Sequence, residues 1–160
     1  MAKQKEVKTN AMRILDRMKI EYTHQSYECD EFVDGIQTAD HLGLSHEQVY
    51  KTLVTVGSSK QYFVFVLPIE AELDMKKAAR AVGEKSVSMI HVKDITAVTG
   101  YVRGGCTAIG MKKQYKTVIH DSCLSIDKII VSAGKIGYQI ELAPQDLINL
   151  INAQTADIIK

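Results

Sequence analysis

The stretch Tyr101-Val102-Arg103-Gly104-Gly105-Cys106-Thr107-Ala108-Ile109-Gly110 gathers the groups in this chain best suited to chemistry. Glycines leave backbone N–H groups open to a substrate oxygen or phosphate, and two or three such donors can form an oxyanion hole. The plainer reading of the same spacing is a tight structural turn. The loop matches neither the Walker pattern nor GxGxxG, so no nucleotide cofactor is expected. Cys106 invites a nucleophile reading, yet a catalytic cysteine needs a histidine or a positive field nearby, and no local partner is evident. His91 and His120 are candidates to approach it in space. Buried, inert thiols are the expectation for Cys29, Cys123 and Cys106 alike. The five histidines, His24, His41, His46, His91 and His120, form no HxxxH or HExxH pair, so no metal site is expected.

Lys51 stands ahead of Leu53, Val54 and Val56. Either its ammonium snorkels to solvent, or it is a fixed cation facing a phosphate or ester at a strand end. Tyr27 is a core aromatic or part of a pocket wall. Ser132 and Gly134, within Val131-Ser132-Ala133-Gly134-Lys135, make a turn or a second set of small polar contacts to a ligand. Two basic clusters, Lys76, Lys77 and Arg80, and Lys112, Lys113 and Lys116, are solvated faces unless they flank the glycine loop as a phosphate track.

These groups need a scaffold, and the chain has the means for one. It is 160 residues long, 46% hydrophobic and 24% charged, the profile of one globular domain that needs no disulfide or metal, and roughly six strands interleaved irregularly with helices make it mixed α/β. Lys and Arg number 20 against 19 Asp and Glu, so an anion-binding surface must come from local clustering. Three cysteines without a CxxC pair fit a reducing compartment. No apolar run is long enough for a membrane span and the amino terminus does not read as a secretory signal, so a cytoplasmic protein is expected.

Helices are expected over 9–18, 36–42, 74–82, 93–99 and from Pro144, and strands over 22–27, 51–56, 62–67, 87–90, 117–121, 128–132 and 138–142. Asp74 is the expected cap of the third helix, and Gly83 its stop.

Taken in order, Lys8-Thr9-Asn10-Ala11, Tyr50-Lys51-Thr52-Leu53, Glu72-Leu73-Asp74-Met75-Lys76-Lys77, Thr99-Gly100-Tyr101, Gly104-Gly105-Cys106, Gly110-Met111-Lys112-Lys113 and Val131-Ser132-Ala133-Gly134-Lys135 resemble the YbaK/EbsC family of bacterial Cys-tRNA(Pro) deacylases. The resemblance covers nearly the whole chain, with a core at about 8–152 of a single domain over 1–160. It implies a barrel-like mixed sheet of about six or seven strands surrounded by helices. It also implies trans-editing of cysteine mischarged onto proline tRNA beside prolyl-tRNA synthetase, with Cys-tRNA(Cys) as a further substrate, without metal or cofactor. The family chemistry is substrate-assisted: the cysteinyl thiol attacks its own ester. On this reading Lys51, Gly104 and Gly105 are catalytic, and Tyr27, Cys106, Thr107, Ser132 and Gly134 bind substrate.

Two positions depart from the family pattern: Ala108 stands where its loop usually has Pro, and Ile136 where Arg commonly follows the Gly-Lys pair. They leave open a deacylase for another small residue such as alanine. A non-catalytic tRNA-binding or regulatory module is the alternative from another class.

Overall fold

The structure, a computed structural model, describes residues 8–26, 39–40 and 42–160. Among the described residues, four complete helices, α1 (Asn10–Arg17), α2 (Met75–Val82), α3 (Ile95–Thr99) and α4 (Pro144–Ile151), accompany eight strands, and the helix expected over 36–42 lies largely outside the described residues. The strands are β1 (Tyr22–Ser26), β2 (Tyr50–Gly57), β3 (Tyr62–Pro68), β4 (Val87–Met89), β5 (Lys116–His120), β6 (Ile129–Ser132), β7 (Tyr138–Leu142) and β8 (Gln154–Ala156). A five-stranded sheet runs β4-β2-β3-β5-β8, and a three-stranded sheet runs β1-β7-β6. The β3–β5 and β5–β8 pairs are parallel and the rest antiparallel, so the architecture is mixed α/β.

The expected barrel-like sheet is replaced by two sheets. A parallel bridge between Val49 and Ile130 joins them at one point, and no closed barrel forms among the described residues. The short strand β8 was not anticipated; three residues without strong alternation give too little pattern to read. Residues 45–48 form a hydrogen-bonded turn, with Gln48 N–H donating to Ser45 O at 3.0 Å.

Strand β3 explains why the hairpin is so apolar. Its Val64 and Val66 face a core made with α1, α4, β6 and β7, whereas Phe63, Phe65 and Leu67 face a second core under α2. A strand covered on both faces reads as a continuous apolar run. Asp74 caps α2 by accepting from the N–H groups of Lys76 and Lys77, each at 3.0 Å. The Lys77 ammonium donates to Asp157 at 2.8 Å and to the Ile159 carbonyl at 2.9 Å, tying the C-terminal segment to α2. His46 lies between Glu70 and Asp40, its Nε2 2.6 Å from Asp40, and pins the chain before β2 to the residues after β3.

These contacts shift titrations in opposite directions. The Lys77 N–H on Asp74, and the Lys77 ammonium on Asp157, hold both carboxyls below their ordinary values. Their stabilisation is present above the unfolded value of about 3.9 and is lost as pH falls through the lowered folded value. Glu70, and then Asp40, raise the His46 pKa. That stabilisation is full below the unfolded value of about 6.5 and is lost as pH rises through the raised folded value. Urea unfolding followed by circular dichroism should show a midpoint that falls on both flanks. His46→Gln should flatten the alkaline fall and Asp74→Asn the acid one; identical pH profiles for the variants and the parent would contradict this assignment.

Candidate active site

The geometry of the site begins with the half of β2 that, among the described residues, is paired on one edge alone. Gly57 N–H donates to Gln61 O at 2.8 Å, and Ile69 N–H donates to Val49 O at 3.0 Å. With the antiparallel register, these bonds place the backbone groups of odd-numbered β2 residues toward β3 and those of even-numbered residues toward the opposite edge. On that edge, among the described residues, β4 pairs with 55–57 and Ile90 N–H adds one bond to Val54 O at 3.3 Å. The backbone N–H and C=O of Thr52 therefore open onto a cleft of about 380 Å³, whose lining includes Thr52, Lys51, Gly104, Cys106 and Ser132.

Lys51 lies on β2 opposite Leu67 and is half-buried. Burial pulls its pKa below the ordinary lysine value, opposed by the charge of Glu72. Its ammonium is a partly desolvated cation, which acts on a nearby charge more strongly than one in bulk water.

The glycine loop is held by buried polar contacts. Thr99 Oγ1 donates to Ile95 O at 2.7 Å and accepts from Tyr101 N–H at 3.0 Å. The Tyr101 hydroxyl spans the loop, donating to Ile109 O at 2.5 Å and accepting from the Asn10 amide at 3.3 Å. Asn10 also donates to Gly110 O at 3.4 Å. Gly105 N–H donates to Val102 O at 3.0 Å, and Gly104 has φ +86°, which fits the third position of a type II turn. Arg103 thus sits at the tip of the turn.

Gly105 is required for a close approach: a Cβ there would lie 2.9 Å from Ile136 N and 3.1 Å from Lys135 Cα. Gly134, at φ +94°, lies beneath the Tyr101 ring, where a Cβ would come within 2.8 Å of Cε1. Thr107 is buried, and its Oγ1 accepts from Ile109 N–H at 3.4 Å. Ser132 Oγ accepts from Gly134 N–H at 3.2 Å while lining the cleft.

The expected site residues therefore divide. Lys51, Gly104, Cys106 and Ser132 share the cleft, while Gly105, Thr107 and Gly134 sit behind it, holding the loop against the 133–136 turn. Gly105 N–H is already committed to Val102, so the donors left to an oxyanion come from its neighbours. Tyr27 lies outside the described residues, as do Cys29 and His41.

Burial pushes the Cys106 thiol up to about 11, against a small opposing bond from Thr99. At neutral pH such a thiol is protonated and a poor nucleophile. His120 does not serve it. Ser122 N–H donates to His120 Nδ1 at 3.2 Å, and Nε2 lies 3.5 Å from both Asp121 and Asp157. Ser122 Oγ, 2.8 Å from Nδ1 and 2.5 Å from the Tyr50 hydroxyl, completes a Ser–His–Asp set whose members do not line the cleft, although Tyr50 does. Among the described residues, no group of three His, Cys, Asp or Glu side chains is placed to hold a metal ion.

Several contributors escaped the sequence reading. Arg103 joins Lys51 as a cleft cation, Gln139 adds an amide, and Met89, Ile90, Val92 and Ile95 supply an apolar wall. The basic clusters are partly structural, since Lys77 binds Asp157 and Lys112 donates to Ala97 O at 3.2 Å.

Tyr101→Phe removes the donor to Ile109 O and leaves a buried carbonyl unpaired, a loss of about 1–3 kcal/mol. Urea denaturation should show that loss; unchanged stability would mean that the hydroxyl does not hold the loop.

Residues 33–150 match the family model described as the aminoacyl-tRNA editing domain. An Enterococcus faecalis (strain ATCC 700802 / V583) protein, provisionally named Cys-tRNA(Pro)/Cys-tRNA(Cys) deacylase EbsC, is 46% identical over 160 residues, 99% of this chain and 98% of its own length. Two crystal structures share the fold at low identity. The hypothetical protein APE2540 superposes with a TM-score of 0.82 at 19% identity, covering 92% of this chain and 97% of its own. The other, described provisionally as a trans-editing enzyme for prolyl tRNA synthetase, has a TM-score of 0.80 at 20% identity and covers 97% and 99%. The chain belongs to the aminoacyl-tRNA editing domain family.

Proposed function

We propose that this protein is an aminoacyl-tRNA deacylase that removes cysteine mischarged onto proline tRNA, with Cys-tRNA(Cys) as a second substrate. The reading extends to a single editing domain over 1–160, acting in the cytoplasm and in trans beside prolyl-tRNA synthetase. The observation that carries it is the shared cleft of Lys51, Gly104 and Ser132, in which the one thiol among the described residues, Cys106, is held protonated by burial. The 46% identity to a chain named for this activity supports the substrate.

In the proposed reaction the thiol of the bound cysteinyl group attacks its own ester carbonyl. A sulfur–carbon bond forms, the ester carbon–oxygen bond breaks, and the thiol proton leaves with the departing ribose hydroxyl. The products are a cysteine thiolactone and free tRNA. The protein supplies position and dipoles rather than a nucleophile. The positive field of Lys51 favours the thiolate and the developing oxyanion, backbone N–H groups beside Gly104 share the oxyanion, and Ser132 and Tyr27 hold the aminoacyl group. Selectivity follows from reactivity. Discrimination by size yields only about 1–3 kcal/mol per methylene, whereas a substrate without sulfur has no attacking group.

Lys51→Ala should fold and lose deacylation of Cys-tRNA(Pro) by about a hundredfold, in line with loss of one electrostatic contact. Cys106→Ala should retain activity, and Ser-tRNA(Pro) should be a poor substrate in a release assay. Equal rates for Ser and Cys, or inactivity of a folded Cys106→Ala, would replace the substrate's thiol with water or an enzyme nucleophile.

A further inference from the structure

Strand β7 carries a glutamine in its middle, at a position that is buried. Its neighbours Tyr138, Ile140 and Leu142 pack into the core shared with α1 and α4, and strand alternation turns Gln139 to the opposite face of the sheet. Ser132, its partner across the β6–β7 ladder, lines the cleft together with it. Gln139 is 8% exposed, and a buried amide costs free energy unless it is hydrogen-bonded. Among the described residues its side-chain amide makes no hydrogen bond, although every fully enclosed side-chain nitrogen or oxygen there has a partner. The polar end of Gln139 is therefore open to a cavity. Besides the cleft of about 380 Å³ it borders a void of about 10 Å³, which has no room for a group larger than water. The cleft is where this amide can meet a ligand.

The chemistry of an aminoacyl ester says which part of the ligand that is. The ester carbonyl oxygen accepts hydrogen bonds, and Lys51 and the N–H groups beside Gly104 are its donors. The α-amino group has the opposite need. It donates, it is repelled by the Lys51 ammonium when protonated, and it requires an acceptor. Two hydroxyls of the lining are already engaged: that of Tyr50 with Ser122, and Ser132 Oγ as acceptor from Gly134 N–H. The amide oxygen of Gln139 keeps both lone pairs uncommitted among the described residues.

We propose that Gln139 recognises the α-amino group of the bound aminoacyl ester, its Oε1 accepting a hydrogen bond from that nitrogen. The inference rests on the deacylase reading for the class of ligand, and it adds the contact that tells an aminoacyl group from a plain acyl group. It also gives the buried amide a reason to remain unpaired: its partner arrives with the substrate. A neutral acceptor has an advantage over a carboxylate in a cleft that also holds Lys51. A fixed negative charge would pair with the ammonium and weaken its field at the ester, whereas an amide accepts the hydrogen bond and leaves that field intact.

Two ligands that differ in the α-amino group alone test this: 3′-amino-3′-deoxyadenosine acylated on its 3′ nitrogen with cysteine or with 3-mercaptopropionic acid. Their amide bond resists release, so calorimetry on the intact protein reads binding without turnover. The parent should bind the cysteinyl ligand about tenfold more tightly, as expected for one hydrogen bond to a buried acceptor. Gln139→Met, similar in shape but without a strong acceptor, should bind the two ligands equally, and Gln139→Glu, which keeps an acceptor, should retain the preference. In turnover, Gln139→Met should lower kcat/KM for Cys-tRNA(Pro) about tenfold and leave 3-mercaptopropionyl-tRNA(Pro) unchanged. Circular dichroism checks folding, and Gln139→Leu is the second apolar variant if Gln139→Met does not fold. Equal binding of the two ligands by the parent, a preference that persists in the folded apolar variant, or equal slowing of both tRNA substrates overturns the assignment. Failure of the deacylase reading would show separately, as absent release of tRNA from Cys-tRNA(Pro) by the parent.

Discussion

The Tyr101 hydroxyl is the constraint on which the cleft depends. It reaches across its own loop to Ile109 O at 2.5 Å, and Asn10 of α1 binds both that hydroxyl and Gly110 O. A ten-residue stretch with three glycines has high conformational entropy, and few of its backbone groups pair in regular structure. One buried side chain fixes both ends of the stretch, and its ring rests on Gly134 of the neighbouring turn. Gly105 then packs closely on the backbone of 135–136, which helps to hold the loop against the cleft. Removing any of these contacts alters where Gly104 points, although none of them touches the cleft contents.

Opposite that loop, the sheet supplies an edge that is left open. β4 is three residues long and pairs with β2 over 55–57, so that among the described residues the first half of β2 bounds a cavity on that edge. An uncovered edge ordinarily invites strand pairing, and here the walls around it limit access to something narrow. Lys51 projects from this half of β2 with its charge partly desolvated. The same burial that sharpens the field of Lys51 keeps Cys106 protonated. One environment thus strengthens the electrostatic partner and silences the resident nucleophile, which suits a reaction in which the substrate carries the sulfur.

Much of the scaffold was legible because it obeys local rules. Asp74 before an apolar-periodic stretch and Gly83 after it delimit α2, and the β-branched runs around Gly57 to Lys60 give the central hairpin. Strand β8 and the division into two sheets were not legible, since both depend on long-range pairing such as that of Val49 with Ile130. At the site, the residues that line the cavity and those that hold it in place share one motif. Gly104 and Gly105 are neighbours in sequence, yet one faces the cleft and the other supports the loop. Only the fold separates them. Arg103 sat unassigned inside the same motif, and the apolar wall of Met89 and Val92 emerged with the cleft itself.

The central claim is that the cargo's own sulfur breaks the ester. Rapid-quench mass spectrometry of the first product released from Cys-tRNA(Pro) tests it most directly. The expected species is the cyclic thioester, 18 mass units below cysteine, without a free thiol to alkylate and formed in step with free tRNA. Free cysteine appearing from the earliest time point, with no cyclic species preceding it, would contradict the account.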